Sequence, residues 1–213
     1  MQLPEAILFD LDGVLLDTEE INKVIWEKVI RKIDLSLSPK QIKSFQGRSR
    51  KDCATILSKF SKGNKSYEDI IATHLPIFES QMKEIKPLPN AKELLFKAID
   101  LKIKLAIVTS SSSKSFERKA NENKWLNKIN EKVLGDDCNL KQGKPFPDPY
   151  LLAASKLKVN IKNCWAVEDS ISGFYSAFKS GSFVFCYDRY GYLLNELNLN
   201  NFAINHPKIK FIR

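Results

Sequence analysis

The stretch AILFDLDGVLLDTE, residues 6–19, sets a short apolar run directly before two carboxylates and a glycine. The run 6–9 is apolar throughout and ends abruptly at Asp10, as a fully buried strand does. Asp12 follows two residues later, and Gly13 allows a sharp reversal of the backbone there. The pattern therefore predicts a buried strand whose carboxyl end carries two acidic side chains.

Further apolar runs of the same character occur along the chain, and segments of helical periodicity lie between them. The predicted strands are 105–108, 165–167, 182–187 and 201–204, and the predicted helices are 90–101, 113–123, 148–157 and 171–179. Strands that alternate with helices of this length imply an α/β fold with a doubly wound, Rossmann-like parallel sheet.

Residues 19–85 break this alternation because they contain no strand-like run. Their periodicity predicts helices over 19–33, 50–60 and 67–85. The stretch 86–90 that follows holds two prolines, which fix φ and disfavour helix before them, so it is predicted to be a stiff return crossing. We therefore predict an α/β core of residues 1–15 and 88–213, with a small α-helical cap domain of residues 16–87 inserted after the first strand.

Length and composition exclude several classes of protein. The chain has 213 residues, of which 43% are hydrophobic and 28% charged, so a disordered or collagen-like chain is excluded. No apolar run approaches the roughly 18 residues of a membrane helix, and the N-terminus lacks the features of a signal peptide. We expect a cytoplasmic protein that binds no membrane. The four cysteines are widely spaced, which favours reduced thiols over a zinc site or a disulfide framework.

The net charge of +9 makes nucleic-acid binding a class that has to be considered, because counterion release favours any basic surface. However, arginine is scarce among the basic residues, and the lysines are spread from Lys23 to Lys210. No nucleic-acid recognition motif is present. We expect no nucleic-acid partner.

Polar residues follow three of the predicted strands at the point where each strand ends. They are Asp10 with Asp12, Thr109 with Ser110, and Glu168 with Asp169. The carboxyl ends of parallel strands meet at one edge of a sheet, where open α/β sheets bind their ligands. Lys144 lies in a loop stiffened by two prolines and a glycine, which indicates a fixed position for its side chain. The sequence therefore predicts one polar site that these residues share.

The two carboxylates at the first strand end allow two interpretations. Asp12 can form a local turn with its own backbone, or Asp10 can attack as a nucleophile while Asp12 transfers the proton. An acidic pair repels itself unless a cation lies between the two groups, which points to a hard metal such as Mg²⁺. Glu168 and Asp169 would complete that metal site. The serine-rich stretch 109–113 can bind an anion at a helix start or simply cap the helix.

Four segments together resemble the four motifs of the haloacid dehalogenase-like hydrolases, in the order that the family has them. They are residues 10–19, residues 107–110, residues 143–145 with Asp148, and residues 167–170 with Gly173. The helical insert after the first motif resembles the branch of the family with a small helical cap. That branch includes β-phosphoglucomutase and many sugar-phosphate phosphatases.

The resemblance implies a role for each residue of the predicted site. Asp10 would be the nucleophile that forms an aspartyl-phosphate, and Asp12 would protonate the leaving oxygen and then activate water. Thr109 and Lys144 would bind the transferring phosphoryl group. The expected ligands of Mg²⁺ are Asp10, the backbone carbonyl of Asp12, and Asp169, with Glu168 close by; the expected substrate contacts are Ser110, the cap-loop residues Gly47, Arg48 and Ser49, and Arg50.

These roles imply a Mg²⁺-dependent phosphatase that hydrolyses a small phosphorylated metabolite, with a sugar phosphate as the first expectation. The family resemblance also suggests a monomer. A β-phosphoglucomutase-like isomerase is the nearest alternative, but Asn22 stands where such mutases carry a histidine, and no lysine lies between Asp69 and Met82. Arg50 could still bind a second phosphate, so this alternative stays open.

Other activities of the family fit the sequence less well. A dehalogenase needs neither a metal nor a second catalytic aspartate, so Asp12 and Asp169 argue against one. A phosphonate hydrolase needs a cap lysine that forms a Schiff base, and Lys23 and Lys51 fit solvated helix faces better. A catalytically silent relative that binds nucleic acid or a protein partner would not need its acidic residues or Lys144.

Overall fold

The computed structural model describes residues 3–38, 41–42, 45, 50–62, 64–81, 85–129, 131–189, 191–199 and 206–212. The chain divides into two compact units, Met1–Leu16 with Pro87–Arg213, and Asp17–Lys86. Within the described ranges, no helix is long and apolar enough to cross a membrane.

The first unit is built on a six-stranded parallel sheet. Its strands are β1 (Ala6–Phe9), β4 (Lys104–Val108), β5 (Glu131–Val133), β6 (Cys164–Glu168), β7 (Phe183–Tyr187) and β8 (Ile209–Ile212), in the order β5-β4-β1-β6-β7-β8. Two short strands, β2 (Leu16–Asp17) and β3 (Lys86–Pro87), pair separately where the chain passes from one unit to the other. The α/β class and the doubly wound parallel sheet predicted from the sequence are confirmed.

Five α-helices in the described part of this unit follow the strands in alternation. They are α4 (Ala91–Asp100), α5 (Ser113–Glu122), α6 (Asp148–Leu157), α7 (Ile171–Ser180) and α8 (Tyr192–Leu199). Strand β1 lies at the centre of the sheet and is buried along its whole length, because the faces of a parallel sheet are covered by such helices. Small side chains such as Ala106 and Ala166 let Tyr150 and Phe174 pack in one cluster of buried residues with the sheet.

Two strands of the sheet were not predicted from the sequence. Strand β5 has only three residues, and its charged Glu131 and Lys132 hide the apolar pattern of a buried strand. Strand β8 pairs with β7 at the opposite edge of the sheet. The strand predicted over 201–204 lies outside the described residues.

The second unit is helical, and its described residues include α1 (Glu19–Lys32), α2 (Arg50–Phe60) and α3 (Tyr67–Gln81). Apolar residues at helical spacing form its own core, among them Ile25, Val29, Leu57 and Ile70. Helices α1 and α2 have nearly the predicted bounds, whereas α3 was predicted to run to residue 85.

Candidate active site

The carboxyl ends of three neighbouring strands bring the predicted site residues together. Strand β1 lies between β4 and β6, so Phe9 is in register with both Ile107 and Val167. The chain places β4 and β5 on one side of β1 and β6 to β8 on the other, which is the switch point where open α/β sheets bind ligands. Asp10 continues the ladder, because its backbone N–H donates to the Val167 carbonyl at 3.0 Å.

Lys144 lies between two acidic side chains at this edge. Its Nζ donates to Asp10 Oδ1 at 2.5 Å, to the Val108 carbonyl at 2.9 Å, and to Glu168 Oε1. These three acceptors use all three hydrogens of the ammonium group. Burial alone would lower the pKa of Lys144, but Asp10 and Glu168 more than offset that effect and raise the pKa above its usual range. Lys144 is therefore a buried, permanently charged group.

Both carboxylate oxygens of Glu168 accept hydrogen bonds. Its Oε1 also accepts from the Tyr150 hydroxyl at 2.5 Å, and its Oε2 accepts from Ser170 Oγ at 3.3 Å. Gly173 leaves room for it, since a Cβ there would lie 2.0 Å from Oε2. Burial, and then the charge of Glu168, raise the pKa of Tyr150 well above its ordinary value, so the phenol stays a hydrogen-bond donor. The arrangement orients Glu168 toward Lys144.

The pKa of Asp10 is raised, because the described cations near this buried carboxylate do not offset its burial and the neighbouring negative charges. Burial raises the pKa of Asp10 to about 7, Lys144 opposes this, and the neighbouring Glu168 and Asp12 add to it. A carboxylate that is to act as a nucleophile must be ionised, so the site fits a further cation. The available donor atoms are carboxylate oxygens, which suit a hard ion.

Three carboxylates could hold that cation. Oxygens of Asp10, Glu168 and Asp169 all lie within 4.8 Å of one another. Gly13 makes space for Asp169, because it adopts a φ of +86° and a Cβ there would lie 1.8 Å from Asp169 Oδ2. The residues present therefore fit a divalent metal ion.

Charge counting supports the same conclusion. Asp10, Asp12, Glu168 and Asp169 supply four negative charges when ionised, and the buried ammonium groups of Lys119 and Lys144, which pair with three of these carboxylates among the described residues, supply two positive charges. One divalent cation would bring this set to neutrality.

The carboxylate of Asp12 has a separate set of partners. Lys119 Nζ donates to Asp12 Oδ1 at 2.6 Å and to Oδ2 at 2.5 Å, and Ser111 Oγ donates to Oδ2 at 2.9 Å. Lys119 also donates to Ser111 Oγ at 2.9 Å. The side chain of Lys119 is 3% exposed and that of Asp12 is 32% exposed. The Asp12 side chain is thus directed by helix α5 and by the loop that precedes it.

The loop after β4 places hydroxyl groups beside this set. Thr109 is buried, and its Oγ1 accepts from the backbone N–H of Ser111 at 3.1 Å. Ser110 is exposed, and its carbonyl lies so close to Gly135 that a Cβ there would be 2.3 Å away. Ser112 caps α5, since its side chain accepts from the Ser115 N–H at 3.4 Å.

The predicted cap residues are not all described. Gly47, Arg48 and Ser49 lie outside the described residues. Arg50 is the first residue of α2 in the helical unit, is exposed, and has its guanidinium carbon 4.6 Å from the centre of the Phe78 ring.

Among the described residues, side chains that contact the predicted set but were not predicted as site residues include those of Ser111, Lys119, Tyr150 and Ser170. Lys119 had a detectable signature, because it occupies the buried face of α5 with Phe116 and Ala120 at spacings of three and one. A lysine on such a face indicates a buried acidic partner.

Known proteins are similar to this chain over most of its length. A family model described as haloacid dehalogenase-like hydrolase matches residues 7–186. The bifunctional riboflavin kinase/FMN phosphatase of Arabidopsis thaliana is 27% identical to this chain. The match covers 81% of this chain and 45% of that protein, so this chain spans less than half the length of that relative. The (DL)-glycerol-3-phosphatase 2 of the same plant is 29% identical, with 82% of this chain and 75% of that protein covered.

A solved structure shows the same fold. The crystal structure of a Thermotoga maritima protein, assigned provisionally as a β-phosphoglucomutase, superposes with a TM-score of 0.75 at 26% identity and covers 90% of each chain.

Proposed function

The chain belongs to the haloacid dehalogenase-like hydrolases, and from this membership we propose that it is a Mg²⁺-dependent phosphatase of a small phosphomonoester. The observation that carries the proposal is the buried Lys144 between Asp10 and Glu168, with Asp169 beside them, at the meeting point of three strand ends. Relatives named as phosphatases, such as the glycerol-3-phosphatase, support a phosphoric monoester as the substrate class. A sugar phosphate or polyol phosphate is the substrate we favour.

The proposed reaction has two steps on the same phosphorus atom. In the first, a carboxylate oxygen of Asp10 attacks the phosphorus, the bond to the substrate oxygen breaks, and that oxygen takes a proton from Asp12. In the second, a water molecule gives a proton to Asp12 and attacks the phosphorus. The bond to Asp10 then breaks, which restores its carboxylate and releases inorganic phosphate.

The surrounding residues bind and neutralise charge in this proposal. Lys144 and the Thr109 hydroxyl would bind oxygens of the transferring group, and Glu168 would keep Lys144 in place. Asp10, Asp169 and the backbone carbonyl of Asp12 would hold Mg²⁺, whose bound charge stabilises the phosphoryl oxygens. Glu168 has its own hydrogen-bond partners and would stay outside the direct ligands.

We assign substrate selection to the helical unit as a cap domain, with Arg50 as the described candidate for contact with the distal part of the substrate. The role of Ser110 as a substrate contact, the monomeric state and the cytoplasmic location also stay predictions.

The test is release of inorganic phosphate from a panel of sugar, polyol and aryl phosphates, with Mg²⁺ and with chelator. We expect release that requires Mg²⁺ and that is lost in a folded Asp10→Asn variant. Conversion of a hexose phosphate to its isomer without phosphate release would instead support the mutase alternative, because this chain is similar to a Thermotoga maritima structure that carries a provisional β-phosphoglucomutase assignment. A folded, Mg²⁺-loaded protein that does neither would contradict the proposal.

A further inference from the structure

The pair formed by Lys119 and Asp12 joins two distant parts of the chain. The residues are 107 positions apart, and the ammonium group contacts both oxygens of the carboxylate at 2.5 and 2.6 Å. Ser111 closes a triangle with them, because it accepts from Lys119 and donates to Asp12 Oδ2. A carboxylate held at both oxygens cannot rotate freely about its terminal bond, so the triangle fixes the plane of the Asp12 carboxylate.

Packing of α5 does not require this lysine. Its neighbours on the buried face are Phe116 and Ala120, and an apolar side chain of similar length would fit that face without the cost of removing an ammonium group from water. Burial of a charge is tolerated where the charge has partners, and the ammonium group of Lys119 donates to Asp12 and Ser111. The ammonium group of Lys119 therefore fixes the Asp12 carboxylate and is not needed for the packing of α5.

We infer that Lys119, together with Ser111, is a positioning residue that sets the orientation of the Asp12 carboxylate for both proton transfers. The inference rests on the proposed function, in which Asp12 gives a proton to the leaving oxygen and later takes one from water. Lys119 acts through Asp12 and does not bind the phosphoryl group, which is assigned to Lys144 and Thr109.

This role predicts a dependence on the leaving group. An alkyl oxygen needs the proton from Asp12 in order to leave, whereas a nitrophenolate leaves without it. Misplacing Asp12 should therefore slow the first step for an alkyl phosphate such as glycerol 3-phosphate. With p-nitrophenyl phosphate the first step should stay fast and the second should become slow, which gives a burst of nitrophenolate and accumulation of the aspartyl-phosphate.

The experiment compares four variants with the wild-type protein in the presence of Mg²⁺. Lys119→Met removes the charge at similar length, Lys119→Arg restores a charged donor, and Ser111→Ala removes one donor from a less buried position. Lys156→Met is the matched control, since Lys156 also pairs with an aspartate, Asp137 at 2.6 Å, but lies outside the site. If Lys119→Met does not fold, Ser111→Ala and Lys119→Arg carry the same comparison.

We expect Lys119→Met to lower kcat for the alkyl phosphate by about 100-fold with KM changed by less than about threefold, within the range of general acid–base effects. Ser111→Ala should lose less, Lys119→Arg should recover part of the rate, and Lys156→Met should match the wild type. In the Asp12→Asn background, Lys119→Met should cost nothing more, because Lys119 then has no catalytic group to position.

Two results would overturn the inference while leaving the proposed function intact. One is a raised KM with unchanged kcat in Lys119→Met, which would make Lys119 a substrate-binding residue. The other is an equal additional loss in the Asp12→Asn background. An inactive wild-type protein would instead remove the proposed function itself.

Discussion

Lys144 keeps its charge inside the protein, with a side chain that is 4% exposed and two acidic partners. Removing one partner of a buried ion pair leaves the other without compensation, which typically costs about 3–5 kcal/mol. We predict that Lys144→Met lowers the free energy of unfolding by that amount in chelator, because Asp10 and Glu168 lose their shared cation. Urea unfolding followed by circular dichroism measures the loss.

Lys156→Met supplies the comparison for this prediction. The side chain of Lys156 is 27% exposed, so loss of its pair with Asp137 should cost no more than about 1 kcal/mol. Equal losses in the two lysine variants would contradict the larger cost that we assign to breaking the buried ion pairs of Lys144.

Gly13 and Gly181 form a second matched pair of positions for substitution, because both glycines have positive φ. Both have positive φ, +86° and +91°, so alanine strains the backbone at either position. Only at Gly13 does the new Cβ meet a described side chain, Asp169, whereas nothing described lies within 4 Å of the Cβ at Gly181. We predict that both variants lose about 1–2 kcal/mol of stability, and that Gly13→Ala alone raises the Mg²⁺ concentration needed for half-maximal phosphate release. An unchanged Mg²⁺ requirement in Gly13→Ala would contradict the assignment of Asp169 as a metal ligand.

The sequence predicted the acidic residues and Lys144 as one site because the acidic residues directly follow apolar runs, and Lys144 lies in a stiff loop ahead of a predicted helix. It did not predict Lys119, because a lysine in a helix rich in charged residues is usually solvated, and the partner that makes it different lies 107 residues away. Tyr150 was missed for a similar reason: its ring belongs to the core pattern, and its hydroxyl bond to Glu168 depends on tertiary packing. Helical spacing can indicate that such a side chain is buried, but the identity of its partner follows from the fold.

Helix α3 contains a buried histidine, His74, whose protonation opposes folding. The ring of His74 lies 4.5 Å from that of Trp26 and 5.7 Å from that of Phe78, measured between centroids. Its Nδ1 has no hydrogen-bond partner among the described residues. Burial, and then the charge of Arg50, lower the pKa of His74 to about 4.

Protonation of His74 should therefore destabilise the folded protein in acid. The unfolded chain binds this proton with an ordinary pKa of about 6.5, so the stability from neutral His74 is complete above that pH and is lost as the pH falls toward 4. We predict that the free energy of unfolding falls by about 2–3 kcal/mol more in the wild type than in His74→Phe between pH 7 and pH 4. His206→Gln is the control and should follow the wild type; parallel pH curves for wild type and His74→Phe would refute the assignment.

Several helices of ten or more residues were predicted nearly to their observed ends, because an amphipathic pattern of that length is a strong signal. Helix α6 has the predicted bounds, and α5 and α7 differ from theirs by one residue. The short edge strands were not predicted. Strand β5 is recognised only through its pairing with β4, which a local pattern of three residues does not encode.

For the whole molecule, the excess of negative charge at the strand ends predicts that a divalent ion stabilises the fold. A ligand at one hundred times its dissociation constant adds about 2.7 kcal/mol to the free energy of unfolding. For a chain of this length that corresponds to a rise in Tm of roughly 5–10 °C. We predict this rise on addition of Mg²⁺, measured by thermal unfolding, and its loss in Asp169→Asn.

Asp188→Asn is the control for that measurement. Asp188 is also buried at a strand end, but it accepts from the backbone N–H groups of Leu193 and Leu194 and belongs to no acidic cluster that could hold a metal among the described residues. Its variant should unfold at a lower temperature and keep the Mg²⁺-dependent rise. A rise that survives in Asp169→Asn would place the ion elsewhere.

Detection of the covalent intermediate on Asp10 tests most directly whether Asp10 is the nucleophile of the proposed phosphatase reaction. The protein would be mixed with p-nitrophenyl phosphate and Mg²⁺, quenched in acid within the first turnover, before water has hydrolysed the intermediate, and digested for mass spectrometry. We predict that the peptide containing Asp10 gains one phosphoryl group, that hydroxylamine removes it, and that Asp10→Asn never carries it. Phosphate release from active wild-type protein without any phosphorylated peptide, or with the phosphoryl group on another residue, would contradict the assignment of Asp10 as the nucleophile.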